Sequence, residues 1–314
     1  MRSLFQAPQF TKFVQFRSGV SPITRLAPHV LFFIVVSLIF MPSIPEIKNK
    51  WVLFGVVMVI EIVLFIKHKS KAAHDIVFFI FAFLAFWEFS TTKIPNSNLM
   101  LYPVPENVFA IYFSDWRKII TGIGSSMYLL LTGFLSALFL GVVFGMIAGW
   151  FNRIREAVFP VAKVISPIPP IIYTPYAVAL LPSFQLASIF VIFSSIFWSV
   201  FISMILSVSS IDKKILESAK TLNVKSTTML WDILFPYCLP QVLKGLPICI
   251  ANAFMVLTAA EMIGATSGLG WFVKYYSDFS DYTRVVAGII LIGFVVSMIN
   301  LCIASIEKKI IRWK

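Results

Sequence analysis

Apolar runs recur along this chain from residue 29 to residue 306, divided by short polar and basic stretches. A helix that crosses a bilayer needs about 20 mostly apolar residues. The pattern predicts eight such segments, over about residues 27–42, 51–66, 76–90, 119–150, 157–181, 185–207, 240–262 and 285–306. The first three are short for a span, and the second and third carry Glu61 and Glu88. The fourth is long enough to cross with tilt and still protrude. The fifth runs through Pro160, Pro167, Pro169, Pro170 and Pro175 to Pro182. Interior prolines break helical hydrogen bonds, and irregular backbone at membrane depth needs cover from protein or water. The fifth segment is therefore expected inside the bundle, away from lipid. The fold class is an all-α polytopic membrane bundle of about eight transmembrane helices.

Composition narrows the reading. Apolar residues make up 59% and charged residues 13% of the 314, against about 45–50% and about 25% in soluble domains. A soluble enzyme, a disordered chain and a disulfide-stapled module are excluded. No removable signal peptide is expected, because the first 28 residues are polar and basic.

The net charge of +12 reads as topology. With eight spans, one side collects 17 of the 26 cations, from Arg2 through Lys213 and Lys214 to Lys314, and the other side 7. The positive-inside rule then places both termini and the 208–239 loop in the cytoplasm. No basic stripe interleaves with aromatics, so nucleic acid is not an expected partner. Cys238, Cys249 and Cys302 have no metal-like spacing and read as small buried hydrophobes. His29, His68 and His74 show no ligand spacing. No catalytic residues, metal site or cofactor are expected.

The 208–239 loop carries the sharpest signal. Ser209, with Asp212 three residues on, reads as an N-cap. Ile211, Ile215, Leu216, Ala219 and Leu222 then fall on one face of a 3.6-residue period. Asn223 tolerates a left-handed stop. Ser226 is placed to cap a second short helix bearing Met229, Leu230, Ile233 and Leu234 and ended by Pro236. A helix–turn–helix with so modest an apolar face suits docking into a partner's groove.

These residues resemble the integral-membrane permease subunits of ATP-binding-cassette importers. Their cytoplasmic signature is Glu-Ala-Ala, three residues, Gly, nine residues, then Ile-x-Leu-Pro. Glu217, Ala219, Ile233 and Pro236 match it, while Ser218, Asn223 and Phe235 replace Ala, Gly and Leu. The resemblance extends to Trp87-Glu88 and Tyr102-Pro-Val-Pro-Glu-Asn-Val108, which are similar to the first core span and the Pro-rich segment after it. Pro167-Ile-Pro-Pro170 with Tyr173-Thr-Pro175 resembles a broken third core helix. Ala259-Ala-Glu261 through Gly270 is similar to the exit from the fifth, in the subgroup handling nitrate, sulfonates, taurine, bicarbonate or pyrimidine precursors.

The resemblance implies a six-helix core over 76–306 with its coupling loop at 208–239. An extension of two helices over 1–75 precedes it, and a basic tail over 307–314 completes the chain. It implies an ATP-driven importer of a small anionic solute in a bacterial inner membrane. The implied partners are cytoplasmic ATPases, a second permease copy and an extracytoplasmic solute-binding protein. ATP hydrolysis would reside on the ATPases, and no GxxxxGK[ST] motif occurs here. Glu217, Ser218, Ala219, Asn223, Ile233 and Pro236 become the ATPase-coupling residues, and Pro167, Pro169, Pro170, Tyr173 and Glu261 candidates for the pathway. An ion-coupled secondary transporter is the rival, with similar broken helices but no use for a docking helix. A membrane-integral enzyme is a third reading.

Other ionisable residues are weighed singly. Glu61 pairs with a neighbour or sits in an interface. For Glu88 and Glu261 a structural role, such as capping a short helix near Gly264–Gly270, is favoured over substrate contact. Lys163 either snorkels or lends potential to an anion path, with snorkelling favoured. Gly133, Gly141, Gly145 and Gly149 read as a close-packing stripe, within the subunit or across a dimer.

Overall fold

A computed structural model describes residues 22–310 apart from 46, 48, 69, 96, 97 and 99. The early cations Arg2, Lys12 and Arg17, together with Lys48, Lys69, Arg312 and Lys314, lie outside the described residues. The described residues form helices and no strand. Their order is α1 (Pro22–Phe40), α2 (Lys50–Ile66), α3 (Lys71–Thr92), α4 (Pro105–Ser114), α5 (Trp116–Trp150), α6 (Asn152–Ile165), α7 (Pro170–Leu180) and α8 (Phe184–Ser209). The remaining helices are α9 (Lys213–Thr221), α10 (Ser226–Gly264), α11 (Leu269–Asp278) and α12 (Tyr282–Ile310). By length and composition α3, α5, α8, α10 and α12 can each cross a membrane. α6 and α7, bent by 93°, make a sixth crossing if taken together. α1 and α2 are shorter, so eight is an approximate count.

The chain divides into two compact units, Met1–Ala110 and Ile111–Lys314. In the first, Val35 and Ile39 of α1, Leu53, Val57 and Leu64 of α2, and Val77, Phe81 and Leu84 of α3 form one core. The spacing of three, four or seven puts each set on a single helix face. Asn49 caps α2 by accepting from Trp51 N, and Ser70 caps α3 by accepting from Ala73 N. Glu61 pairs with His29 Nδ1, whose ring meets His74 edge-on at 6.4 Å. α3 thus packs with the two helices ahead of it. Trp87 Nε1 donates to Pro103 O at 2.9 Å, folding the Pro-rich segment back on the end of α3.

The second unit is organised by a seam between α5 and α8. A Cβ on Gly133 would meet Ile192, on Gly141 Val200, on Gly145 Met204, and on Gly149 Val208, at 2.7–3.0 Å. The partners advance in step, so the two helices run parallel. Without side chains on one face the backbones approach closely, with Phe201 O only 2.8 Å from the Cβ position of Gly145. The glycine stripe therefore packs within the subunit.

The proline-rich segment is divided into two helices. α6 is amphipathic, and the chain turns sharply between Ile165 and Pro170, with Pro167 and Pro169 in the break. Pro170 starts α7, where a missing N–H costs nothing. Thr174 and Ala177 are buried, but Ile172, Tyr176 and Leu180 are exposed in the single chain. An eleven-residue helix with one narrow face of small residues cannot bury itself on all sides. The break is therefore at the surface of the chain and not enclosed by it.

Candidate functional site

The loop between α8 and α10 places the signature residues in order. Asp212, not Ser209, caps α9, since its Oδ1 accepts from Lys214 N at 3.0 Å. Ser209 still belongs to α8, donating to Ile205 O and accepting from Arg155 Nη1. α9 then spans Lys213–Thr221. Its expected apolar face divides in two. Ile211, just ahead of the helix, and Ala219 are buried in the main core of the second unit, and Leu216 packs against it. Ile215 and Leu222 point away, Leu222 with 77% of its surface exposed. Glu217 and Ser218 are exposed beside them. Ile215, Ser218 and Leu222 thus form an open stripe at i, i+3 and i+7.

Asn223 adopts φ 54°, the left-handed conformation expected from its side chain. The turn it makes lets Val224 N reach back to Ala219 O at 3.1 Å, closing the helix end. α10 begins at Ser226, but without a side-chain cap. Pro236 does not end a short helix as expected. α10 runs on to Gly264 because Met229–Leu234 widens into a π turn. Phe235 N then bonds to Leu230 O, and the wider turn accommodates the proline. Ile233 is half-buried and Leu234 fully buried, which seats the loop on its own bundle.

At the far end of α10, Glu261 is buried and holds a turn. Its Oε1 accepts from Ser126 Oγ at 2.6 Å and its Oε2 from Gly270 N at 2.7 Å. Ser126 Oγ in turn accepts from Leu269 N at 2.9 Å. The first turn of α11 is thereby capped by one carboxylate and one hydroxyl from outside it. Gly268, at φ 139°, has no room for a side chain, since a Cβ would stand 2.4 Å from the Glu261 carboxyl. Glu261 makes no hydrogen bond to α7. Tyr173 instead lines an apolar groove of about 650 Å³ with Phe190, Phe193 and Trp198. Pro167, Pro169 and Pro170 mark the break and donate nothing to Glu261.

A family model described as "Binding-protein-dependent transport system inner membrane component" matches residues 141–313, over half of the chain. The chain belongs to that family. It is a membrane-spanning permease subunit of an ATP-driven importer. Among curated relatives, the taurine transport permease TauC of Escherichia coli is 27% identical over 61% of this permease and 70% of its own length. A putative aliphatic sulfonates permease, SsuC of Bacillus subtilis, is 26% identical over 60% and 68%. The nitrate import permease NrtB of Synechocystis is 26% identical over 60% and 70%. An inward-facing structure of the MetNI methionine ABC transporter superposes with a TM-score of 0.51 at 16% identity, over 63% of this permease and 99% of that chain. That likeness is one of fold.

Two features of the permease escaped its sequence. Ser126 has no local signal, because its role depends on Glu261 far along the chain. Arg284 links Asp115 Oδ2 at 2.6 Å with Asp281 and lies over the Tyr276 ring, tying together the starts of α5 and α12 and the end of α11. Asp115 just before an apolar run was the only hint. Lys163 lies over the Phe159 ring at 4.5 Å on the exposed side of α6.

Proposed function

We propose that this permease imports a small oxoanion, of the sulfonate, nitrate or bicarbonate kind, across a bacterial cytoplasmic membrane. It works as one of two permease copies, with a pair of cytoplasmic ATPases and an external solute-binding protein. Both termini and α9 lie on the cytoplasmic side, as the bias of lysines and arginines favours. ATP is hydrolysed on the partner ATPases.

The observation that carries this reading is the divided face of α9. Its inner side is held to the bundle by Ile211 and Ala219, while Ile215, Ser218 and Leu222 are presented outward beside Glu217. A rigid helix seated on one body and offering an apolar stripe to another suits a lever. Closure of the ATPases moves α9, and the turn at Asn223 with the nearby Ile233 and Pro236 passes the movement to α10. The cycle is a population shift, driven by different ATP affinities of the inward- and outward-facing states. Pro167, Pro169, Pro170 and Tyr173 belong to the element that rearranges along the pathway, and Glu261 holds the turn at its other end.

The substrate class is taken from the relatives, whose names specify taurine, aliphatic sulfonates and nitrate. The test is uptake by proteoliposomes holding the full complex. ATP-dependent uptake is expected, and Glu217→Lys is expected to leave ATP hydrolysis running while uptake falls at least tenfold. Uptake that persists without ATP on an ion gradient would overturn the importer reading.

A further inference from the structure

Between α8 and α10, at the end of the bundle that carries α9, lies a cleft of about 450 Å³. Its polar groups come from two facing helix stripes. Ser203, Ser207 and Ser210 line one wall, and Tyr237, Gln241 and Lys244 the other. Both sets fall at i, i+4 and i+7, the spacing that puts three side chains in one row. No acidic side chain lines the cleft.

Lys244 is the conspicuous member. It lies one turn inside the start of the 240–262 segment with its side chain exposed, and a charge so placed on a spanning helix faces water or a partner. Along α10 the charged side chains are Asp232, Lys244 and Glu261, and Lys244 lies farthest from either end. Glu261 is satisfied by Ser126 and Gly270. Lys244 has no ion-pair partner among the described residues. The side chains around it are hydroxyl and amide donors, and the walls between are apolar at Leu206, Cys238 and Pro240. The carbonyl end of α8 opposes an anion here, but Ser210 Oγ donates to Ser207 O at 2.9 Å and covers one of its last carbonyls.

We propose that this cleft is an oxyanion site. Lys244 supplies the counter-charge, Gln241, Tyr237 and Ser203 donate hydrogen bonds, and the apolar wall takes the alkyl part of a short sulfonate. As a station for the transported solute it rests on the substrate reading above; its preference for anions does not.

The test uses the whole transporter complex in nanodiscs. A thiol introduced by Gln241→Cys is reacted with an anionic and a cationic methanethiosulfonate of similar size, and the labelled peptide is quantified by mass spectrometry. A focused cationic site concentrates the anionic reagent, so its rate relative to the cationic one is expected to be about tenfold higher than after Lys244→Gln is added. Ethanesulfonate or nitrate is expected to slow the labelling, where gluconate at equal ionic strength does not. Ser210→Cys, on the opposite wall, provides the same readout if Gln241→Cys fails to assemble. A reagent ratio unchanged by Lys244→Gln, or no protection by either small anion, overturns the proposal. ATP-driven ethanesulfonate uptake by the unsubstituted complex tests the substrate reading separately, so either can fail alone.

Discussion

Ser126 Oγ donates to Glu261 Oε1 at 2.6 Å, joining α5 to α10 inside the bundle. The contact is the hinge of a larger arrangement, since the same two side chains accept from Leu269 N and Gly270 N. An acidic residue at membrane depth is thereby accounted for as a cap on α11. Removing the carboxylate strands buried donors, each costing about 1–3 kcal/mol. Glu261→Ala is expected to lower the unfolding temperature of the purified complex more than Glu261→Gln, which keeps one acceptor. Equal stability of all three proteins would show that the cap is not needed.

The α5–α8 seam predicts a large effect from a small change. Gly145→Val would drive a side chain into Met204 and the Phe201 carbonyl, and overpacking of this kind costs about 1–3 kcal/mol. Gly245 in α10 has no heavy atom within 4 Å of its Cβ position. Gly245→Ala is therefore expected to stabilise by about 0.5–1 kcal/mol. Unfolding of both variants in mixed detergent micelles, against the unsubstituted chain, measures the contrast.

The turn after α9 is set by backbone geometry. At φ 54° Asn223→Gly is expected to be neutral, whereas Asn223→Val costs about 1–2 kcal/mol and loosens the lever. Solute-stimulated ATP hydrolysis in proteoliposomes should be retained by the first and reduced severalfold by the second.

Glu106 gives the first unit a pH dependence. It is fully buried in the first turn of α4, and burial raises its carboxyl above the ordinary 4.5. The nearby cations Lys50 and Lys93 oppose the rise. A raised folded-state value means that the folded chain holds the proton more tightly than the unfolded chain. The stability it contributes is complete below the ordinary carboxylate range and is lost as pH rises through the raised one. Glu106→Gln is expected to flatten that loss, read as unfolding temperature between pH 4 and pH 9, about the range carboxyl shifts reach.

Where the determining contacts are local, the sequence was legible. Asn223 announced its left-handed turn because its own side chain tolerates that backbone. The apolar spans read through their length, and the glycine stripe through its four-residue period. Capping was legible only in part. Ser209 read as the cap of α9, but α8 extended far enough to claim it and Asp212 caps the helix instead. Pro236 marked a stop that the π turn at Met229–Leu234 removed.

The sequence by itself determined the membrane class, the helical segments and the signature spacing in the α9 loop. These depend on composition and on periods of three to four residues, which the chain carries in order. Only the tertiary structure decided that the glycines face α8, that α9 divides its apolar face between the bundle and the outside, and that Lys244 faces three serines. It alone gave Glu261 its partners. Each of these depends on which helix lies beside which, and that is settled by side chains meeting across scores of intervening residues.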